Sequence, residues 1–169
     1  MINTKMKPFL YLALAVVFIF PAKSEALTTS AQHAFKLSNT QALFVIEYDF
    51  GTRRSDFFLP LLASTASSSQ VLTYTIEKDG EPASAVKSSA VILSPLTVSG
   101  YEYVLPAGHS AKFTLAVVVE TEADERDAEY RLRVDWLPFE TGPERTNRHV
   151  DKALLASYLT PAVELNRNH

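Results

Sequence analysis

The 169-residue chain contains no cysteine, and this absence removes several kinds of chemistry. Without thiols there is no disulfide framework, no cysteine nucleophile and no cysteine-ligated zinc or iron–sulfur centre. A lipoprotein anchor, which needs a cysteine behind a signal segment, is excluded as well. A domain without these supports must be held together by its hydrophobic core.

The chain also lacks a surplus of basic residues. It has 16 Lys and Arg against 19 Asp and Glu, which gives a net charge of −3. An acidic domain has no long-range attraction for nucleic acid or for anionic lipid. No repeat of basic and aromatic residues is present either, so we expect no nucleic-acid partner.

The first 26 residues differ in composition from the rest of the chain. Lys5 and Lys7 precede an almost entirely apolar run over residues 9–20, which ends at Pro21, and small residues occupy positions 24 and 26. This is the pattern of a secretory signal peptide, and the run is shorter than the roughly 20 residues that span a bilayer. We predict a signal peptide over residues 1–26 and a single domain over residues 27–169.

Cleavage after Ala26 would take three lysines and one glutamate with it, so the net charge would become −5. The predicted mature chain contains no transmembrane segment. We expect an exported protein, located in the periplasm, at the cell surface or outside the cell.

Most of this predicted domain alternates between apolar and polar residues. The alternation is clearest over residues 113–119 and 130–136, where Tyr130, Leu132, Val134 and Trp136 share one face. Such a period predicts strands with one buried face rather than helices. Further strands are predicted over residues 42–50, 57–62, 71–77, 91–93 and 101–105.

Turn-forming residues separate these strands at short intervals, and no long helical pattern lies between them, which favours a β-sandwich. The segment Glu140–Lys152 has little to bury and is predicted to be a loop. After it, residues 154–159 predict a short helical turn, and residues 162–165 a last strand.

Two stretches resemble immunoglobulin-like domains. Residues 127–134, Asp-Ala-Glu-Tyr-Arg-Leu-Arg-Val, resemble a tyrosine corner, in which a tyrosine hydroxyl bonds back to upstream backbone. Residues 105–115 are similar to a strand of many bacterial surface immunoglobulin-like modules. The resemblance implies an all-β, immunoglobulin-like antiparallel sandwich and assigns the corner to Tyr130.

A longer likeness covers most of the domain. The segments 50–51, 56–60, 105–108, 136–139 and 159–165 follow one another as in small exported bacterial proteins with a single immunoglobulin-like sandwich and no assigned activity. Periplasmic pilus chaperones are a more distant match over residues 127–138. They have two domains, and this chain has room for one.

Residues 120–129 contain six acidic side chains between two predicted strands. Calcium prefers such oxygen ligands, which makes Glu122, Asp124 and Asp127 weak calcium candidates. The spacing of a calcium loop is missing, however, and Arg126 interrupts the cluster. The alternative is a solvated loop that keeps this end of the sandwich soluble.

No other pattern indicates a cofactor or a catalytic centre. The four histidines, His33, His109, His149 and His169, lack metal-ligand spacing, and no serine-nucleophile motif occurs. Tyr101 and Tyr103 are predicted to share one strand face, either as core residues or as an exposed pair that binds sugar or a partner.

We therefore expect a non-catalytic binding or structural module with no cofactor, whose partner is a protein or glycan of the cell envelope. The first alternative is an assembly-chaperone or pilin-like subunit that shares a strand with its partner. The second is a hydrolase whose active site follows no known motif.

Overall fold

The computed structural model describes residues 26–51, 54–83, 86–122, 127–150 and 158–165, with the backbone alone for residues 26–30. Every regular element in these ranges is a β-strand, which confirms the all-β prediction for this part of the chain. The strands are β1 (Ala26–Lys36), β2 (Gln41–Gly51), β3 (Phe57–Pro60), β4 (Ala63–Ser64), β5 (Leu72–Lys78), β6 (Glu81–Pro82), β7 (Lys87–Leu93), β8 (Thr97–Ser99), β9 (Glu102–Leu105), β10 (Ser110–Glu120), β11 (Ala128–Trp136), β12 (Pro138–Thr141), β13 (Thr146–His149) and β14 (Val163–Leu165).

The strands form three sheets. Sheet A has the order β1-β2-β10-β7, sheet B the order β13-β12-β3-β9-β8, and sheet C the order β14-β11-β5-β4 with β6 added beside β5. Neighbours are antiparallel except β4 and β5, which are parallel. Sheet C covers sheet A, since β14 lies against β1 and β2 and β4 lies against β7. The coarse prediction of antiparallel sheets is confirmed, but the two-sheet immunoglobulin-like topology is not.

One hydrophobic core joins the three sheets. Period-two alternation buries every second residue of β2, β10 and β11, as predicted, and Phe44, Ile46, Leu115 and Leu132 are fully buried. Sheet B reaches the same core through Tyr103, whose ring meets that of Phe113 edge-on at a centroid distance of 6.2 Å. Sheets B and C therefore both pack on the inner face of sheet A.

Trp136 does not complete the buried face of β11 as predicted. The pairing of β11 with β5 shifts register between Val134 and Trp136, which leaves one extra residue on β11. Such a bulge reverses the alternation, so Leu137 becomes the buried residue and Trp136 is only half-buried. The indole stacks on His149 with ring centroids 4.1 Å apart. The bulge also carries the chain from sheet C into sheet B.

The prediction of a loop over Glu140–Lys152 is wrong in its first part. Strands β12 and β13 form a hairpin here, closed by a turn over residues 142–145. Gly142 and Arg145 have left-handed φ angles of 74° and 49°. The carbonyl of Gly142 accepts a hydrogen bond from the Arg145 N–H at 3.2 Å. The four residues of β13 are all exposed, so no alternation marks them as a strand.

The remaining predictions about the chain ends are resolved in part. Strand β14 confirms the predicted last strand, whereas most of the predicted helical turn falls on residues 151–157, outside the described residues. The predicted signal peptide also lies outside them, except Ala26, where β1 begins. Among the described residues, no helix is long and apolar enough to cross a membrane.

A candidate ligand cleft on sheet B

An open cleft of about 560 Å³ lies on the outer face of sheet B. Its floor consists of outward-facing residues of β12, β3 and β9, and its walls are the β8–β9 turn and the segment of residues 61–71. The sheet is a rigid support, because the alternate residues of β3 and β9 are anchored in the core. A concave site of this size on a rigid element is the usual form of a ligand pocket.

Arg145 crosses the floor of this cleft. Its guanidinium carbon lies 4.1 Å from the centre of the Phe58 ring on β3, the middle strand. The same side chain bonds to Glu102 on β9 and lies 3.4 Å from an oxygen of Glu140 on β12. The guanidinium thus has a cation–π contact with Phe58, and one of its nitrogens, Nη1, contacts both carboxylates.

The charges of this group are partly balanced. The hydrogen bond to Glu102, followed by the fields of Glu102 and Glu140, raises the pKa of Arg145 above its ordinary value. The guanidinium therefore stays charged at every physiological pH. Two carboxylates and one cation leave the floor with a net charge of −1.

Tyr101 forms the exposed wall. Its side chain is 86% exposed, the largest value among the exposed large hydrophobic residues of the described chain. The turn at Gly100, where φ is 64°, presents the ring at the end of β9. The Tyr101 carbonyl accepts a hydrogen bond from Leu61 N–H at 3.4 Å, which ties this wall to the opposite one. An aromatic ring held in water in this way is an available contact surface.

The prediction that Tyr101 and Tyr103 share a strand face is wrong. Tyr103 points inward, and its hydroxyl donates to the Ile92 carbonyl at 3.0 Å. Tyr101 precedes β9 and belongs to the turn, so strand alternation does not apply to it. Each of the two tyrosines therefore follows a different alternative: Tyr103 is a core residue and Tyr101 is exposed.

The charged groups on the floor of the cleft contact one another. A glycosidase needs two carboxylates with the scissile bond between them. Here the Arg145 guanidinium occupies the space between Glu102 and Glu140. The cleft offers fixed hydrogen-bond donors and acceptors beside aromatic surface, with no nucleophile and base in contact among its described residues.

The other candidate residues lie elsewhere. His33, His109 and His149 are exposed on separate elements, and His169 is outside the described residues. Glu122 and Asp127 are exposed at the ends of the acidic loop, Asp124 is outside the described residues, and a calcium site there stays a prediction. Among the described residues, no three His, Asp or Glu side chains are grouped as metal ligands.

Sequence reasoning missed most of this cleft. Arg145, Glu140 and Asn147 lie in the segment that the sequence predicts to be a loop, and Phe58 lies in a predicted strand with no sign of a ligand site. The one available signal was Gly142, whose position between two polar segments is typical of a hairpin turn. Comparison with protein families, with curated proteins and with solved structures finds no match to this chain.

Proposed function

We propose that this chain is an exported, non-catalytic binding module and that the sheet B cleft holds a neutral saccharide of the cell envelope. One observation carries the proposal: the Arg145 guanidinium lies over the Phe58 ring and contacts both Glu102 and Glu140, in the same cleft as the exposed ring of Tyr101. The site is thus prepared before any ligand arrives, which lowers the entropic cost of binding.

The chemistry of the floor supports a saccharide over other ligands. Sugar hydroxyls both donate and accept hydrogen bonds, and the cleft supplies carboxylate acceptors together with guanidinium and amide donors. A proline-rich peptide would leave the acceptors Glu102 and Glu140 unused, because proline has no N–H. The net charge of −1 opposes an anionic ligand, so we propose a neutral saccharide over an acidic one.

The compartment and the finer fold belong to the same proposal. The composition of residues 1–26 supports export, and an envelope location gives access to glycans. The packing of sheet C on sheet A supports an immunoglobulin-like sandwich, to which sheet B is added at one end.

A strand-sharing subunit is the second candidate, and one observation favours it. Strand β7 is an edge of sheet A, hydrogen-bonded only to β10 among the described strands. Its outward residues Val91 and Leu93 are 50% and 55% exposed. An unpaired edge with apolar positions beside it is what an added strand requires.

The test is a binding panel with the mature chain, residues 27–169. Neutral oligosaccharides of glucose, galactose, mannose and N-acetylglucosamine are titrated by calorimetry, beside oligogalacturonate and a proline-rich peptide. We expect binding of one neutral saccharide, and Tyr101→Ala should weaken it by about tenfold or more, since an exposed ring in a binding site carries a large share of the contact.

Two variants serve as controls. Tyr101→Phe keeps the ring and should bind within about threefold of the natural chain, a difference below 1 kcal/mol. Leu37→Ala removes another exposed apolar side chain, away from the cleft, and should change nothing. Preference for the peptide, failure to bind any neutral saccharide at millimolar concentration, or binding unaffected by Tyr101→Ala would each contradict the proposal.

A further inference from the structure

The outer face of sheet A is unusually apolar for a surface. Pairing of neighbouring strands places Phe35 beside Leu43 and Leu43 beside Val118 in one row across the sheet. The next row joins Val45, Ala116 and Val91 in the same way and ends on β1 at the exposed His33, whose ring stacks on Phe35. Leu93 on β7 lies next to Val91 on the same face, in a third row that continues through Thr114 and Glu47. The apolar side chains of the first two rows and Leu93 form one patch over four strands.

This patch is open to solvent in the described structure. Phe35, Val91 and Leu93 are each about half exposed, and Val118 is 37% exposed. The buried residues of the same strands alternate with them and face the core, so the pattern is not a failure of packing. Apolar patches of this extent on soluble proteins mark an interaction surface.

Charged residues border the patch at both ends of the strands, with Glu120 and Lys87 at one end and Glu47, Asp49 and Lys112 at the other. Lys112 lies opposite Asp49 across the β10–β2 pair, and its ammonium nitrogen is 2.6 Å from an oxygen of Glu47. All three side chains point to the outer face, because residues 48 and 113 between them are buried. The border therefore carries both signs of charge on adjacent strands.

We infer that this face is the interface of a homodimer, in which two copies stack sheet A on sheet A about a two-fold axis. With the axis parallel to the strands, midway between β2 and β10, β2 of each copy lies over β10 of the other. Each row of one copy then lies over the same row of the other copy. Leu43 of one copy contacts Val118 of the other, and Asp49 faces Lys112 at two equivalent contacts. The long lysine side chain covers the lateral offset that sheet twist introduces.

Charge complementarity under this operation selects a second copy over other occupants. Asp49 of each copy faces Lys112 of the other, so the same oppositely charged pair occurs on both sides of the axis, as an isologous interface requires. A lipid surface is disfavoured, because Glu47 and Asp49 outnumber Lys112 on the border. Four strands paired over most of their length present a face on the order of 600 Å², and about 1,200 Å² for two copies lies within the range of stable interfaces.

The test uses sedimentation equilibrium of the mature chain. We expect a dimer, and both Asp49→Lys and Lys112→Glu should weaken it by about tenfold or more, because each variant places like charges opposite one another. A mixture of the two variants should form heterodimers. The side chains introduced by Asp49→Lys and Lys112→Glu then face each other at one contact, and the natural pair of Asp49 and Lys112 remains at the other.

Val91→Asp should also give a monomer, and Val98→Asp, at an exposed valine of sheet B, should not. A monomeric natural chain overturns the inference, as do dimers that persist in both charge variants or a mixture that forms no heterodimer. If the dimer persists in both charge variants and is lost only when the β7 edge is changed, the two copies associate by strand sharing. The dimer test and the saccharide test can fail independently, because none of the residues changed here lines the cleft.

Discussion

Two buried tyrosines lead to opposite predictions for the same substitution. Tyr48 is fully buried, and its hydroxyl has no hydrogen-bond partner among the described residues. Tyr48→Phe removes an unpaired polar atom, so the free energy of unfolding should stay constant or rise by about 1 kcal/mol. Tyr130→Phe should instead cost about 1–3 kcal/mol if the predicted corner bond exists. Urea denaturation of both variants decides the matter, and a cost of that size for Tyr48→Phe would show that its hydroxyl is bonded.

Tyr48 also makes stability depend on alkaline pH. Burial, and secondarily the neighbouring Tyr158, raises the pKa of Tyr48 well above its ordinary value of 10.0. The folded state therefore keeps the proton longer than the unfolded state does. The contribution of this pKa difference to the free energy of unfolding is fully present below about pH 10. It is lost as the pH rises towards the pKa of Tyr48 in the folded state. We expect Tyr48→Phe to lose less stability than the natural chain between pH 9 and pH 11.

At the level of single residues, the sequence predicts burial well where the alternation is unbroken. Phe44, Ile46 and Leu132 are buried as expected. Trp136 is not, because the bulge after Val134 shifts the alternation by one residue. A bulge depends on the partner strand, and period-two counting along one strand does not contain that information.

Among the elements, the β12–β13 hairpin holds the cleft in shape and can be tested through its turn. Gly142 has a φ of 74°, and nothing lies near the position of an added Cβ. The cost of Gly142→Ala is then conformational alone, about 1 kcal/mol. Because the turn positions Arg145, saccharide binding should weaken as well.

Gly51→Ala is the matched control. Gly51 has equal space around it and no left-handed φ, so the substitution should be neutral or slightly stabilising. Thermal unfolding of the two variants side by side measures the difference. Equal melting temperatures would show that the turn relaxes easily and does not fix Arg145.

The elements that sequence reasoning missed share a physical cause. Strand β13 is exposed along its whole length, and β8 likewise. Such strands are held by their ladder and not by buried side chains, so hydropathy gives no signal. These elements border the cleft through Asn147 and Ser99, and the turn before β13 supplies Arg145, so the candidate site was less predictable than the core.

At the level of the whole molecule, the division into three sheets was not predictable from local pattern. Alternation along β11 or β5 reports which face of the strand is buried. It does not report whether one sheet or two sheets pack on sheet A. The division arises where β11 passes into β12, and it depends on contacts distant in sequence.

The predicted export can be checked on the whole chain as well. Strand β1 begins at Ala26, and Leu27 pairs with Phe50. Cleavage after Ala26 would remove one residue of that strand and keep the rest of sheet A intact. Mass spectrometry of the exported protein should find Leu27 at its N-terminus. A membrane-bound product that retains Met1 would show that residues 1–26 serve as an anchor.

Sheets A and B bury their inner faces in one core, so the cleft on the outer face of sheet B lies away from the outer face of sheet A. In the face-to-face dimer, the two clefts would therefore open away from the interface, on the two sides that the two-fold axis exchanges. Both could not rest on one flat surface, so linkage of the two sites would bring no gain in avidity on a single polymer layer. The same geometry suits a cross-linker, which would join two separate glycan strands and add mechanical cohesion to the layer between them.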